Sequence, residues 1–154
     1  MTVFYGVNAT SRDVSVPSVK IPRGEVAGRI QVAYDEYTLG SGSLTTSDSL
    51  RLMFIPKGAR VHDIRIVAPD CGGSGAINVG WLASADAAEA ANATGFFSAL
   101  TVSSAATISN LDEVASAAGA MKQFSSAVQV VIVPSTNCTA TSGTIKVAVY
   151  YVVS

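Results

Sequence analysis

The fold is decided by residues 49–69, SLRLMFIPKGARVHDIRIVAP. Leu50, Leu52 and Phe54 alternate with Arg51 and Met53, the period-two pattern of a strand buried on one face. Ile55-Pro56-Lys57-Gly58 follows as a β-turn, with proline pre-setting the backbone at its second position and glycine at its fourth. Val61, Ile64, Ile66 and Val67 then supply the apolar contacts of a second strand. The stretch predicts two strands packed through a tight connection. It holds no reactive cluster, so function has to come from surfaces.

Towards the N-terminus, Arg29–Leu39 (RIQVAYDEYTL) alternates again, with Ile30, Val32 and Tyr34 on one face and Arg29, Gln31 and Ala33 on the other. Asp35 and Glu36 are adjacent, but neighbouring strand residues point to opposite faces, so they do not converge on a metal or acid–base site. Before them, Met1–Gly28 has no sustained period. Val14, Val16, Val19 and Ile21 are interrupted by Pro17 and Pro22, which remove ladder donors. The prediction is an extended, mildly basic arm over 1–28 followed by a sandwich domain over 29–154. An arm that orders on a partner accounts for these apolar residues better than a frayed terminus does.

Towards the C-terminus, Gly40–Asp48 is a loop by composition. Asp70–Gly75 (DCGGSG) superficially resembles a phosphate cradle, but no Lys-Ser/Thr and no helix follow, so Cys71–Gly75 reads as a hairpin-type loop. Ala76–Trp81 alternates as a strand. Ala83–Asn92 (ASADAAEAAN) has the alanine content of a short helix, capped by Ser84 or Asp86, or else forms a turn in a long loop. Phe96 and Phe97 plug one end of the core, Leu100–Ile108 has weak strand character, and Asn110–Ala120 is a short turn or helix. Phe124–Val133 and Thr144–Val153 are β-branched and apolar on both faces, as central strands are. About eight strands separated by turn signals favour an all-β sandwich of jelly-roll type over an α/β design.

Composition narrows the function. The chain has 154 residues, enough for one domain with an arm, and only 14% are charged against about a quarter in ordinary domains. A surface so poor in charge suits a protein covered by its own copies or by a partner. The net charge of −1 gives no footprint for nucleic acid, although eight of the ten Lys and Arg lie at or before Arg65. The long uncharged run Ala90–Leu111 is too polar to span a membrane.

Little here is built for catalysis. His62 is the one histidine, and its neighbour Asp63 faces away on a strand, so a surface or turn histidine is expected rather than a triad. Cys71 and Cys138 lack the paired spacing of a zinc site. No secretory signal leads the sequence, so the compartment does not favour a disulfide, and their pairing stays open. Asn8, Asn92 and Asn137 head Asn-x-Ser/Thr triplets expected by chance in a chain this rich in Ser and Thr. Trp81 and the other aromatics read as packing residues. The sequence therefore predicts no enzyme, catalytic residue, cofactor or metal, and no nucleic-acid or membrane partner.

The run LRLMFIPKGARVHDIRIVAPD, then SGAINVGWLAS, ATGFF and the pair VQVVIVPS…SGTIKVAVYYV, preceded by YDEYTLGSGSLTTSD, resembles small head proteins of tailed bacteriophages. The resemblance covers roughly Arg29–Val153. These are decoration or cement proteins of jelly-roll-like fold that bind outside the major capsid protein. The resemblance implies a structural virion protein on the outer capsid surface, assembled in the host cytoplasm. It would clamp neighbouring capsid subunits as a homo-oligomer, a trimer before a dimer. The family carries no fixed site motif; Arg12, Lys20 and Arg23 of the arm and Lys57 and Arg60 of the turn are our choice for the capsid-facing residues. Two readings stand beside it: a fibre-tip or carbohydrate-recognition module presenting Trp81 or the tyrosines, and a cupin-type enzyme, which a single histidine disfavours.

Overall fold

A computed structural model of the chain describes residues 28–40, 44–104, 107–111 and 118–153. The predicted arm, with Arg12, Lys20 and Arg23, lies outside the described residues except for Gly28. Eight strands follow in order: β1 Gln31–Thr38, β2 Leu50–Ile55, β3 Ala59–Ala68, β4 Ala76–Trp81, β5 Asn92–Thr101, β6 Thr107–Asn110, β7 Val128–Thr136 and β8 Thr144–Val153.

These strands form two four-stranded sheets, β1-β8-β3-β6 and β2-β7-β4-β5, with every pairing antiparallel. Strand β1 pairs with β8, β2 with β7, β3 with β6 and β4 with β5. That is one long antiparallel ribbon rolled over on itself, the arrangement of a jelly roll. The all-β sandwich of about eight strands is thus the observed fold.

The rolling corrects one reading of the opening stretch. β2 and β3 lie in opposite sheets, so the connection between them is an arch over the core and not a hairpin turn; β3 and β4 do too, so the Cys71–Gly75 loop crosses between sheets and closes no hairpin. Each strand buries one apolar face in either arrangement, so the alternation alone does not separate the two. The turn itself is displaced by one residue. The Ala59 amide donates to the Pro56 carbonyl at 3.2 Å, and Gly58 takes the third position with φ of 80°. That positive φ is the requirement of a type II turn, met most readily by glycine.

A second correction concerns Phe54. A register irregularity between Arg51 and Phe54 interrupts the ladder with β7, and Ile55 instead of Phe54 enters the core. A bulge changes which face the following side chain takes, and Phe54 is left 64% exposed.

The core lies between the sheets. Val61, Ile64 and Ile66 of β3 and Val147 and Val149 of β8 face Val79, Val130 and Ile132 of the other sheet, all fully buried. Each such side chain contributes about 1.5–3 kcal/mol by leaving water. Strands β7 and β8 are internal in their sheets, as their two apolar faces predict.

One end of the sandwich is closed by aromatics. Trp81 meets Phe96 and Phe124 edge-on, at centroid distances of 5.2 and 5.1 Å, and its indole N–H donates to the Ala90 carbonyl. Gly95 lies flat against the Trp81 ring, in space that a Cβ would need. Gly80 likewise lets the β4 backbone approach that of Asn92 and Ala93. The VGW and GFF segments are therefore two halves of one packing unit.

Where a short helix or turn was expected, residues 82–91 form turns and bends with no helix. Alanine propensity is overridden by side chains that bond locally. Ser84 Oγ donates to Asp86 Oδ1 at 2.7 Å and accepts from the Glu89 amide at 2.9 Å, while Ala87 takes a positive φ of 56°.

Candidate interaction surfaces

The most elaborated polar cluster closes the Trp81 end. Glu89 is buried, and its Oε1 accepts from the Ser125 amide at 2.6 Å and from Ser125 Oγ at 2.8 Å. Its Oε2 lies 3.0 Å from Lys122 Nζ. The Lys122 ammonium in turn sits over the Phe124 and Trp81 rings, 5.2 and 5.8 Å from their centroids. Asp86 accepts from Ser126 Oγ at 2.7 Å and from the Ala88 amide at 3.2 Å. The loop 82–91 is thereby bolted to the segment 122–126 by two carboxylates.

These bonds set the acidity of both groups. Hydrogen bonds from Ser84, then Ser126 and the Ala88 amide, lower Asp86 from its ordinary 3.8 to about 2. For Glu89, burial pushes the pKa up, but the Ser125 amide, Lys122 and the Ser125 hydroxyl together outweigh it and the net shift is downward. A carboxylate with a depressed folded-state pKa stabilises the fold above its unfolded pKa and loses that contribution as pH falls through the folded value. The latch should therefore weaken between about pH 4 and pH 2. Trp81 fluorescence during an acid titration is expected to change in that window, and to stay flat there in Asp86→Asn with Glu89→Gln.

Elsewhere polar groups are structural. Asp63 Oδ1 accepts from the Ile64 and Leu111 amides at 2.8 and 2.9 Å, and Oδ2 from Arg65 Nε at 3.4 Å, steering the chain into and out of the β3–β6 pair. His62, expected on the surface or bonded in a turn, sits half-buried at the β3 bulge with Nε2 unpartnered among the described residues. No cluster of three or more metal-type ligands occurs among the described residues.

Cys71 and Cys138, whose pairing was left open, form a disulfide. Rolling the ribbon brings the loop after β3 against the loop after β7, which linear spacing does not reveal. The Thr139 amide donates to the Cys71 carbonyl and the Cys138 amide to that of Leu44, at 2.9 and 2.8 Å. The bond therefore fastens three loops at one end of the sandwich.

Of the residues chosen to face a shell, Lys57 and Arg60 are separated in role. Lys57 is exposed on the arch, where it lines a depression of about 500 Å³ with Gly58, Gln123, Phe124 and Ser125. Arg60 is half-buried and tied down, donating from Nη1 to the Met121 carbonyl at 3.1 Å and from Nη2 to Gln123 Oε1 at 3.3 Å. Arg12, Lys20 and Arg23 are outside the described residues. Sequence reasoning gave Asp86 only a capping role and missed Glu89 and Lys122, because the two carboxylates fall in an alanine-rich stretch and their partners lie far along the chain.

Apolar surface gathers instead on β1. Its register with β8 places Ala33 opposite Val149 and Asp35 opposite Val147. Val147 and Val149 are in the core, so the even-numbered face of β1 points outward. Ile30, Val32 and Tyr34 share one face as the alternation predicts, but that face is solvent-exposed, at 66%, 53% and 54%.

Solved phage capsids contain this fold. A chain of the capsid asymmetric unit of cyanophage Pam1 is 23% identical, with a TM-score of 0.60 over 88% of this chain and 93% of that one. A chain of the capsid of Ralstonia phage GP4 is 19% identical, with a TM-score of 0.61 over 96% of each chain. The likeness is one of fold and spans nearly the whole length of both. No family model matches the sequence, and no curated protein matches it.

Proposed function

We propose that this chain is a capsid decoration protein that binds the outer surface of the major capsid protein shell and clamps neighbouring subunits as a homo-oligomer. The observation that carries this reading is the end-to-end likeness to chains of two phage capsids. The low content of charge supports it as well, because a clamp needs area and complementarity and no reactive group. Many weak contacts on a repeating lattice add by avidity.

Arm and arch make different contributions in this reading. Arg12, Lys20 and Arg23 follow the shell, and Lys57 is the exposed charge that the folded domain adds beside them. Arg60 acts from behind by holding the segment 121–123 against β3. Deleting residues 1–23 is expected to abolish binding to undecorated capsids while the melting temperature stays unchanged; Lys57→Glu weakens binding severalfold. Full-affinity decoration by the truncated protein would remove the arm from the account.

The fibre-tip alternative asks for an exposed aromatic platform. Trp81 is 3% exposed and fixed by Ala90, so it offers no face to a sugar. Tyr34 and Tyr37 are exposed on β1, and a glycan array with the pure protein is the direct test of that reading.

A further inference from the structure

Four strands form sheet edges: β1, β6, β2 and β5. Exposed edges invite pairing with another chain, and proteins ordinarily blunt them by shortness, bulges, lysine or proline. Three of the four are blunted here. β6 has four residues, β2 carries a register shift between Arg51 and Phe54, and β5 has two shifts against β4 and a positive φ at Ala99. β1 has none of these devices. It is eight residues long, pairs with β8 without a shift and contains neither lysine nor proline. Among the described residues no strand pairs with its other edge.

The sequence of this edge is complementary to itself. Laid antiparallel on a second copy about a twofold axis through Val32, and extended by the two residues that precede β1, it sets Val32 opposite Val32, Ile30 opposite Tyr34, and Arg29 opposite Asp35. The exposed apolar face then continues across the junction, and the cation at one end of each strand meets the carboxylate at the other. We propose that two copies of this chain associate through antiparallel pairing of their β1 edges, centred on Val32, to form one continuous eight-stranded sheet. This twofold contact deepens the homo-oligomer part of the function proposed above and does not depend on the shell-binding part. It also selects the dimer over the trimer that the sequence resemblance favours. Cross-strand apolar and opposite-charge pairs supply its stability, as in a sheet within one chain. An isologous contact of this kind closes on itself and does not grow into fibres.

The full chain, studied by light scattering and sedimentation over a range of concentrations, is expected at twice its 15.7 kDa mass. Val32→Lys sets two like charges directly opposite and is expected to raise the dissociation constant by on the order of tenfold or more. Because Val32 is exposed, the circular dichroism of the variant should match the parent, and its melting temperature should match that of the parent diluted to monomer. Phe54→Lys, at the exposed aromatic of the other sheet, leaves the dimer intact. Arg29→Asp weakens association, and adding Asp35→Arg in the same chain restores it, since the exchanged charges meet again across the axis. Val32→Cys should oxidise to a covalent dimer. A monomeric parent at every concentration would overturn the proposal. So would a trimer indifferent to Val32→Lys, or a charge exchange that fails to restore association. A full chain that dimerises only after removal of residues 1–27 would overturn it too, because the edge would then be the seat of its own N-terminal segment.

Discussion

Replacing Cys71 and Cys138 together by alanine is expected to lower the melting temperature by on the order of 10 °C. The bond closes a loop of 67 residues, and the chain-entropy model assigns such a closure about 4 kcal/mol of unfolded-state constraint. Both cysteines are buried, so the substitutions also remove packed sulfur from the core. The effect should be local in structure but global in stability. The Leu44, Cys71 and Cys138 loops share backbone hydrogen bonds, and loosening one releases the others. Differential scanning calorimetry of the parent and the double variant gives the number directly. A shift within about 2 °C would mean that the three loops are held by their hydrogen bonds alone. Because the bond is buried, reductant is expected to act on the parent only near its unfolding temperature.

The second large effect is expected at the opposite, aromatic end. Glu89→Ala should destabilise the fold by about 3 kcal/mol, because it leaves a partly buried ammonium and a partly buried amide without their partner. Lys122 loses its carboxylate but keeps the faces of Trp81 and Phe124, and it retains some access to water, which sets the cost at the lower end of the range for broken buried pairs. Glu89→Gln still accepts from Ser125 and should cost about half as much. A double-mutant cycle with Lys122→Met separates the ion pair from the Ser125 hydrogen bonds. Urea denaturation curves are the appropriate readout; a change in Glu89→Ala below about 0.5 kcal/mol would show that the loop 82–91 carries no strain-bearing role in the fold.

These two fastenings show why part of the molecule was legible in its sequence and part was not. β8 has the bounds that its β-branched run predicts, Thr144–Val153, because its core face is buried from Ile145 to Tyr151 and propensity and packing agree. The run beginning at Phe124 was read as a strand throughout, yet β7 starts at Val128. The intervening Ser125 and Ser126 are turned to Glu89 and Asp86, partners that no local pattern announces. In the alanine-rich stretch, read as a short helix or a turn in a long loop, the turn prevails through local bonds of Ser84 and Asp86 together with the long-range ones to Ser125 and Ser126. Phe54 was assigned to the core because strict alternation takes no account of a bulge. For β1 the reading grouped Ile30, Val32 and Tyr34 correctly, but periodicity says which residues share a face and not which face is inside. That choice is made by Val147 and Val149 across the ladder. The disulfide belongs to the same class of facts, since only the rolled ribbon brings its two loops together.

Most of what the sequence made legible is scaffold, and most of what it hid is contact between distant segments. A decoration protein fits this division. In the proposed role the sandwich would have to survive at the surface of a particle, with fastenings at both ends, and the exposed charge of the arch and the apolar edge of β1 would meet neighbours.

The central claim is that this chain sits on the outside of a phage head. Cryo-electron microscopy of the virion that carries it tests that claim most directly. The account predicts density for this jelly roll on the outer surface of the shell, in copy number matched to the capsid lattice and contacting more than one subunit of the major capsid protein. Density at the tail or fibres alone, or a virion that lacks the chain, would contradict it.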